Sequence, residues 1–134
     1  MKIGLDTNVI VSGLLSSVGP PAKIVSLVAQ GVLQVCYDKR ILEEYAEVLS
    51  RSKFKFERSA IDDFIEQLKA DGLEVTGAPL PSRLPDPDDE MFLEVVVAGN
   101  ASCLVTGNLK HFPEEGRAGV RVLTPRQLVD LLPE

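Results

Sequence analysis

The chain has one histidine and two cysteines in 134 residues, too few to build a zinc site from the usual nitrogen and sulfur donors or a disulfide framework. Cys36 and Cys103 each fall inside an apolar, β-like run, which suits buried reduced thiols. Positive charge is also scarce. Fourteen Lys and Arg stand against twenty Asp and Glu, a net charge of −6. Such a chain repels a polyanion at long range, which argues against sequence-tolerant coating of nucleic acid. It does not exclude a nuclease, because phosphodiester-cleaving metal sites are themselves carboxylate clusters offset by their cations. No apolar run approaches the roughly 18 residues of a membrane span, and residues 1–15 lack the charged start and cleavage site of a signal peptide. A cytoplasmic protein without membrane contact is the expectation. There is no Gly-rich phosphate loop bearing a lysine, which removes the P-loop nucleotide hydrolases, and no repeat or low-complexity tract.

What is present is 45% hydrophobic residues, enough for one substantial core, over a length read here as one domain, 1–134. Short β-branched runs alternate with runs of helical period. Strands are expected at 2–5, 33–37, 73–76, 102–106 and 120–123, and helices near 8–15, 20–30, 38–50, 59–71, 87–99 and 125–132. Alternation of this kind predicts an α/β fold, a parallel sheet of about five strands with helices on both faces. The stretch GAPLPSRLPDPDD (77–89), with four prolines, reads as the longest loop.

In an open α/β sheet, ligands bind beyond the carboxyl ends of the strands, so polar residues there are the ones to question. Asp6 follows the first strand. Its neighbours Thr7 and Asn8 are able to cap the next helix, which leaves the charge of Asp6 unexplained; Asn8 itself is a cap or an auxiliary to the site. Asp38 follows the second strand and is most simply the N-cap of the third helix. Thr106 ends the fourth, and Asn108 follows it in a TGN turn. In ILEEYAEVL (41–49), Ile41, Leu42, Tyr45, Val48 and Leu49 form one apolar arc, Glu43 and Glu47 face solvent, and Glu44 alone lies at the arc's edge. In DPDDEMFLEVVV (86–97), Asp86 as N-cap and Pro87 at the first helical position account for a helix start. The same wheel sets Asp89 among Phe92, Leu93 and Val96, and Glu90 with Glu94 on the polar side. A carboxylate aimed at the core is costly without a cation or hydrogen-bond partners, so Asp89 is the candidate and Asp86 an auxiliary.

Asp6, Glu44, Asp89 and Asn108 thus come from four elements that a parallel sheet brings to one end. Oxygen donors without His or Cys favour Mg²⁺ or Mn²⁺. The chemistry that uses such a cluster is phosphodiester hydrolysis, in which one or two cations hold the scissile phosphate and activate water.

The segments DTNVIVSGL (6–14), ILEEYAEVL (41–49), DPDDEMFLEVV (86–96) and LVTGNLKHF (104–112), in this order over nearly the whole chain, resemble the PIN-domain ribonucleases, specifically the toxin components of toxin–antitoxin pairs. The resemblance implies metal-binding acids at Asp6, Glu44 and Asp89, a Thr-Asn pair beside the first acid, and a fourth ligand after the Thr-Gly turn. It implies as well a five-stranded parallel sheet, an RNA substrate, a homodimer and a small inhibitory antitoxin. The departure is Asn108, where many members have Asp; one negative charge is lost and a neutral oxygen donor remains. SRSKFKFER (50–58) interleaves Arg51, Lys53, Lys55 and Arg58 with Phe54 and Phe56, a mixture suited to RNA backbone contact and base stacking, or else a helix connection with core phenylalanines and solvated cations. Lys110 and His111 either touch a phosphate or are incidental surface residues.

Other classes fit less well. A haloacid-dehalogenase-like phosphatase wants a second Asp where Asn8 stands, and a receiver domain wants a Lys that VRVLTP (120–125) does not offer. The competing expectation is a PIN-like scaffold that binds RNA or a protein partner without cutting.

Overall fold

The computed structural model describes residues 1–133. Strands β1 (Lys2–Leu5), β2 (Gln34–Tyr37), β3 (Leu73–Glu74), β4 (Cys103–Val105) and β5 (Val122–Leu123) alternate with helices α1 (Thr7–Leu15), α2 (Pro20–Ala29), α3 (Lys39–Leu49), α4 (Arg58–Asp71), α5 (Glu90–Ala98) and α6 (Pro125–Leu131). All strand pairs are parallel, in the order β3-β2-β1-β4-β5. The expected α/β sheet of five strands is therefore present. The chain moves outward from β1 to β3 and then returns to the other side of β1 for β4 and β5. The reversal puts the topological switch point between β1 and β4, the crevice where open α/β sheets take ligands.

β1 shows why both faces are covered. Successive side chains of a strand point to opposite faces. A Cβ on Gly4 would lie 2.5 Å from Val96 Cγ2 and 3.5 Å from the Phe92 carbonyl oxygen, so α5 presses directly on that face. Ile3 and Leu5, on the other face, are fully buried too. α5 accordingly has little room for a polar stripe: Phe92, Leu93, Glu94, Val95 and Val96 are all buried. The expectation that Glu94 shares a polar side with Glu90 is corrected by this packing, because a helix covered nearly all round has no solvent face at that turn. Among the helices, α1 packs on α2, and α2 on α4 and α6. α1 and α2 meet at a 100° bend, and no single helix among the described residues is long and apolar enough to cross a membrane.

Most elements lie within a residue of the expected bounds; β5 is shortened from 120–123 to Val122–Leu123, and two further differences have a local cause. β3 covers only Leu73–Glu74, both exposed at the sheet edge, although the Val75 N–H still donates to the Tyr37 carbonyl at 2.9 Å. The helix expected from 87 begins as a 3₁₀ turn, Pro87–Asp89, in which the Asp86 side chain accepts from the Asp88 N–H, and becomes α-helical at Glu90. Pro87 and the Asx bond favour a tight first turn over an α-turn. Cys36 and Cys103 are buried and free.

Close packing at Gly4 is testable. Gly4→Ala is expected to destabilise the protein by about 1–3 kcal/mol, the usual effect of overpacking, read as a lower denaturant midpoint. Adding Val96→Ala, which removes the obstructing methyl, is expected to restore part of the loss.

Candidate active site

Asp6 lies at the junction of β1 and α1, with its N–H on the Val105 carbonyl of β4 at 2.9 Å, and only 6% of its surface is exposed. A buried carboxylate needs donors. Thr106 supplies one, its hydroxyl donating to Asp6 Oδ2 at 2.8 Å, and Asn8 Nδ2 stands 3.5 Å from the same oxygen. Asn8 Oδ1 in turn accepts from the Gly107 N–H at 3.1 Å, and the Thr106 hydroxyl oxygen accepts from the Asn108 N–H at 3.1 Å. The β1–α1 and post-β4 loops are thus stitched across the switch point. The capping role expected of Thr7 or Asn8 is corrected here: Asp6 occupies the N-cap of α1 without a side-chain capping bond, and both neighbours are engaged elsewhere. Thr7, buried, donates its hydroxyl to Glu44 Oε2 on α3.

Asp89 is the residue at the N-terminus of α5, and it makes no capping bond. Its Oδ2 is buried with no hydrogen-bond partner. His111 Nδ1 approaches that oxygen at 3.4 Å without hydrogen-bond geometry. Burial, aggravated by the charge of Asp6 and partly offset by His111, raises the Asp89 pKa to about 6. Glu44 is raised in the same way, by burial first and then, against the Thr7 bond, by the charges of Asp6, Asp88 and Glu47. For Asp6, burial outweighs the lowering by Thr106 and by the backbone N–H groups of Thr7 and Asn8. Glu44 and Asp89 therefore both feel the charge of Asp6, and Asp89 that of Glu44 as well; among the described residues no Lys or Arg forms an ion pair with any of the three. They do not close into a cage: among the described residues no group of three His, Cys, Asp or Glu side chains is arranged to hold an ion. The arrangement is an open, acidic half-site made of hard oxygen donors.

The other expected residues fall as follows. Asp38 caps α3, accepting from the Ile41 N–H at 3.1 Å. Asp86, exposed, caps the 3₁₀ turn. Asn108 Oδ1 accepts from the Lys110 N–H at 3.3 Å and its Nδ2 lies 3.0 Å from His111 Nε2, so both ends of the amide are engaged locally. Arg51 pairs with Glu47 at 2.9 Å, and Lys53 lies 5.1 Å from the centre of the Phe54 ring, which stacks on Phe56. Lys53, Lys55 and Lys110 are exposed and make no ion pair with the site acids. Sequence reasoning missed one cluster beside the site. Arg40, half exposed, bridges Asp38 Oδ2 at 2.6 Å and the buried Glu94 Oε1 at 2.9 Å, tying α3 to α5. Glu90, by contrast, turns back to Arg83 and the Leu84 N–H. Arg40 and Glu44 border a recess of about 270 Å³ together with Asp88, Glu90, Met91 and Glu94.

Ionising a group whose folded pKa lies above its unfolded value weakens the fold as pH rises. With Asp89 at about 6 against an ordinary 3.8, the stabilising contribution is complete below pH ~4 and is lost as pH rises through ~6. Asp89→Asn is therefore expected to raise the melting temperature of the metal-free protein at mildly alkaline pH, with the gain vanishing in acid; thermal melts across the pH range check it.

Compared with known proteins, the chain matches the PIN domain family model over residues 2–110. No curated protein matches it.

Proposed function

The chain belongs to the PIN-domain family, whose members are generally nucleases, and on that premise we propose that it is a metal-dependent endoribonuclease hydrolysing RNA phosphodiester bonds. The single observation that carries the reading is the buried Oδ2 of Asp89, which has no hydrogen-bond partner and, among the described residues, no Lys or Arg paired with it or with the two further acids. Isolated buried charge is costly, and a divalent cation is the species that would balance it. Asp6, Glu44 and Asp89 would hold Mg²⁺ or Mn²⁺, the metals that hard oxygen donors favour. Bound there, the ion supplies Lewis-acid charge for a scissile phosphate and a more acidic water.

The chain's own residues prepare that site. Thr106 holds one oxygen of Asp6 and Thr7 one oxygen of Glu44, so each keeps its other oxygen to offer. Asp89 keeps Oδ2 uncommitted. Asn108 Oδ1 already accepts from the Lys110 N–H and is a neutral donor, so it would be the auxiliary donor of the set. Arg40, through Glu94, ties together the two helices that carry Glu44 and Asp89. Arg51, Lys53, Lys55 and Lys110 are the cations offered to the RNA backbone beyond the acidic centre.

The motif order supports extending the reading to the toxin component of a toxin–antitoxin pair in the cytoplasm, working as a homodimer and inhibited by a small protein whose Arg or Lys enters the acidic cleft. A second reading, an inactive scaffold that binds RNA or a partner, is favoured by Asn in place of an acid at 108 and by the open arrangement of the three acids.

Incubation of the purified protein with RNA separates the two. Cleavage is expected with Mg²⁺ or Mn²⁺, abolished by EDTA. Asp6→Asn and Asp89→Asn are expected to reduce it by more than the ~10–100-fold typical of losing an outer-shell partner, with the fold intact. RNA bound but uncut under all conditions supports the scaffold; cleavage in excess EDTA contradicts the metal mechanism.

A further inference from the structure

Asn108 sits between the two ends of a short chain of polar contacts, and hydrogen-bond bookkeeping decides what it does. Its Oδ1 lies 3.3 Å from the Lys110 nitrogen. Only the amide oxygen can accept a backbone N–H, so this contact fixes which end of the amide is which. Nδ2 therefore faces His111 Nε2, at 3.0 Å. An NH₂ group only donates, so Nε2 must accept and carry no proton. In a neutral imidazole the single ring proton is then on Nδ1. Nδ1 is the nitrogen turned toward Asp89 Oδ2, the buried oxygen without a hydrogen bond.

We propose that Asn108 is a positioning residue that locks His111 in the Nδ1–H tautomer, so that the imidazole presents its proton to Asp89 Oδ2. At 3.4 Å and without hydrogen-bond geometry, the contact is an electrostatic one rather than a formed hydrogen bond. The same residue reaches the other acid. The Asn108 N–H donates to Thr106 Oγ1, and the Thr106 hydroxyl donates to Asp6 Oδ2. The segment 106–111 is in this way a strap between Asp6 and Asp89, with Asn108 at its pivot. An aspartate at 108 would serve differently. A carboxylate only accepts, so it would demand a proton on Nε2, and the bare Nδ1 lone pair would then confront Asp89 unless the ring took a second proton. The amide at this position is thus matched to the histidine three residues on.

The role assigned to Asn108 rests on Asp89 being a site acid, but the tautomer is measured on the metal-free protein without RNA. His111 is the chain's only histidine, so isotope labelling yields one unambiguous pair of ring nitrogens. In long-range proton–nitrogen NMR spectra at mildly alkaline pH, Nδ1 is expected to be protonated and Nε2 bare. Asn108→Ala is expected to lose this preference, and Asn108→Asp to pass to Nε2–H or to the doubly protonated ring. A wild-type protein carrying its proton on Nε2 overturns the proposal without any variant. Persistence of full Nδ1–H character in a folded Asn108→Ala protein overturns it as well. Failure of the nuclease reading looks different: the tautomer is as stated while RNA remains uncut with Mn²⁺ present.

Discussion

Removing a carboxylate from water at the end of a β-strand is tolerated only with partners around it, and the burial of Asp6 between β1 and β4 is the constraint from which the rest of the site follows. The backbone at this point is already committed: the Asp6 N–H continues the ladder to Val105, so the side chain is delivered into the crevice where the strand order reverses. Thr106 must then donate to it, Asn8 must bridge to Gly107, and the turn after β4 is fixed as a consequence. Glu44 arrives on α3 and Asp89 at the N-cap of α5, and Asp6 raises the pKa of both. The charge of Asp6 thus worsens the position of both other acids, and that of Glu44 the position of Asp89, a cost that a cation would relieve.

The fold handles its two kinds of buried acid differently. Glu94 is neutralised within the protein by Arg40, which also binds Asp38. Among the described residues, Asp89 is met by His111 alone, at a distance that leaves its Oδ2 without a hydrogen bond. Breaking a buried pair strands the remaining charge, so the Arg40 cluster serves as a fixed brace between α3 and α5. Among the described residues, Asp6, Glu44 and Asp89 have no such Lys or Arg partner. That contrast separates the structural carboxylates from the candidate functional ones better than burial alone, since Asp38 and Glu94 are buried to much the same degree as Asp6.

Much of the architecture was legible in the sequence because each element carries its own local signal. The apolar runs of β1, β2 and β4 and the alternation of periods all act over a few residues. Asp6 was legible for the same reason: an acid directly after a buried strand has few structural explanations. What stayed hidden depends on residues far apart in the chain. The Thr7–Glu44 bond spans 37 positions and the Arg40–Glu94 pair 54. Helical periodicity misplaced Glu94 on a polar side with Glu90, because a helix apolar nearly all round has no single buried face to infer. His111 reads as an incidental residue after a turn until the 3₁₀ turn at Leu109–His111 places its ring against Asp89. The match to the family over residues 2–110 stops short of β5 and α6, yet β5 extends the same sheet by pairing with β4.

The central claim is that the charge concentrated at Asp6, Glu44 and Asp89 is balanced by a divalent cation. Calorimetric titration of Mn²⁺ into the wild-type protein and into Asp6→Asn at neutral pH, without RNA, tests it most directly. The account expects saturable binding to the wild type that is lost or strongly weakened in the variant. Binding of equal affinity in both proteins, or none in the wild type, would contradict it.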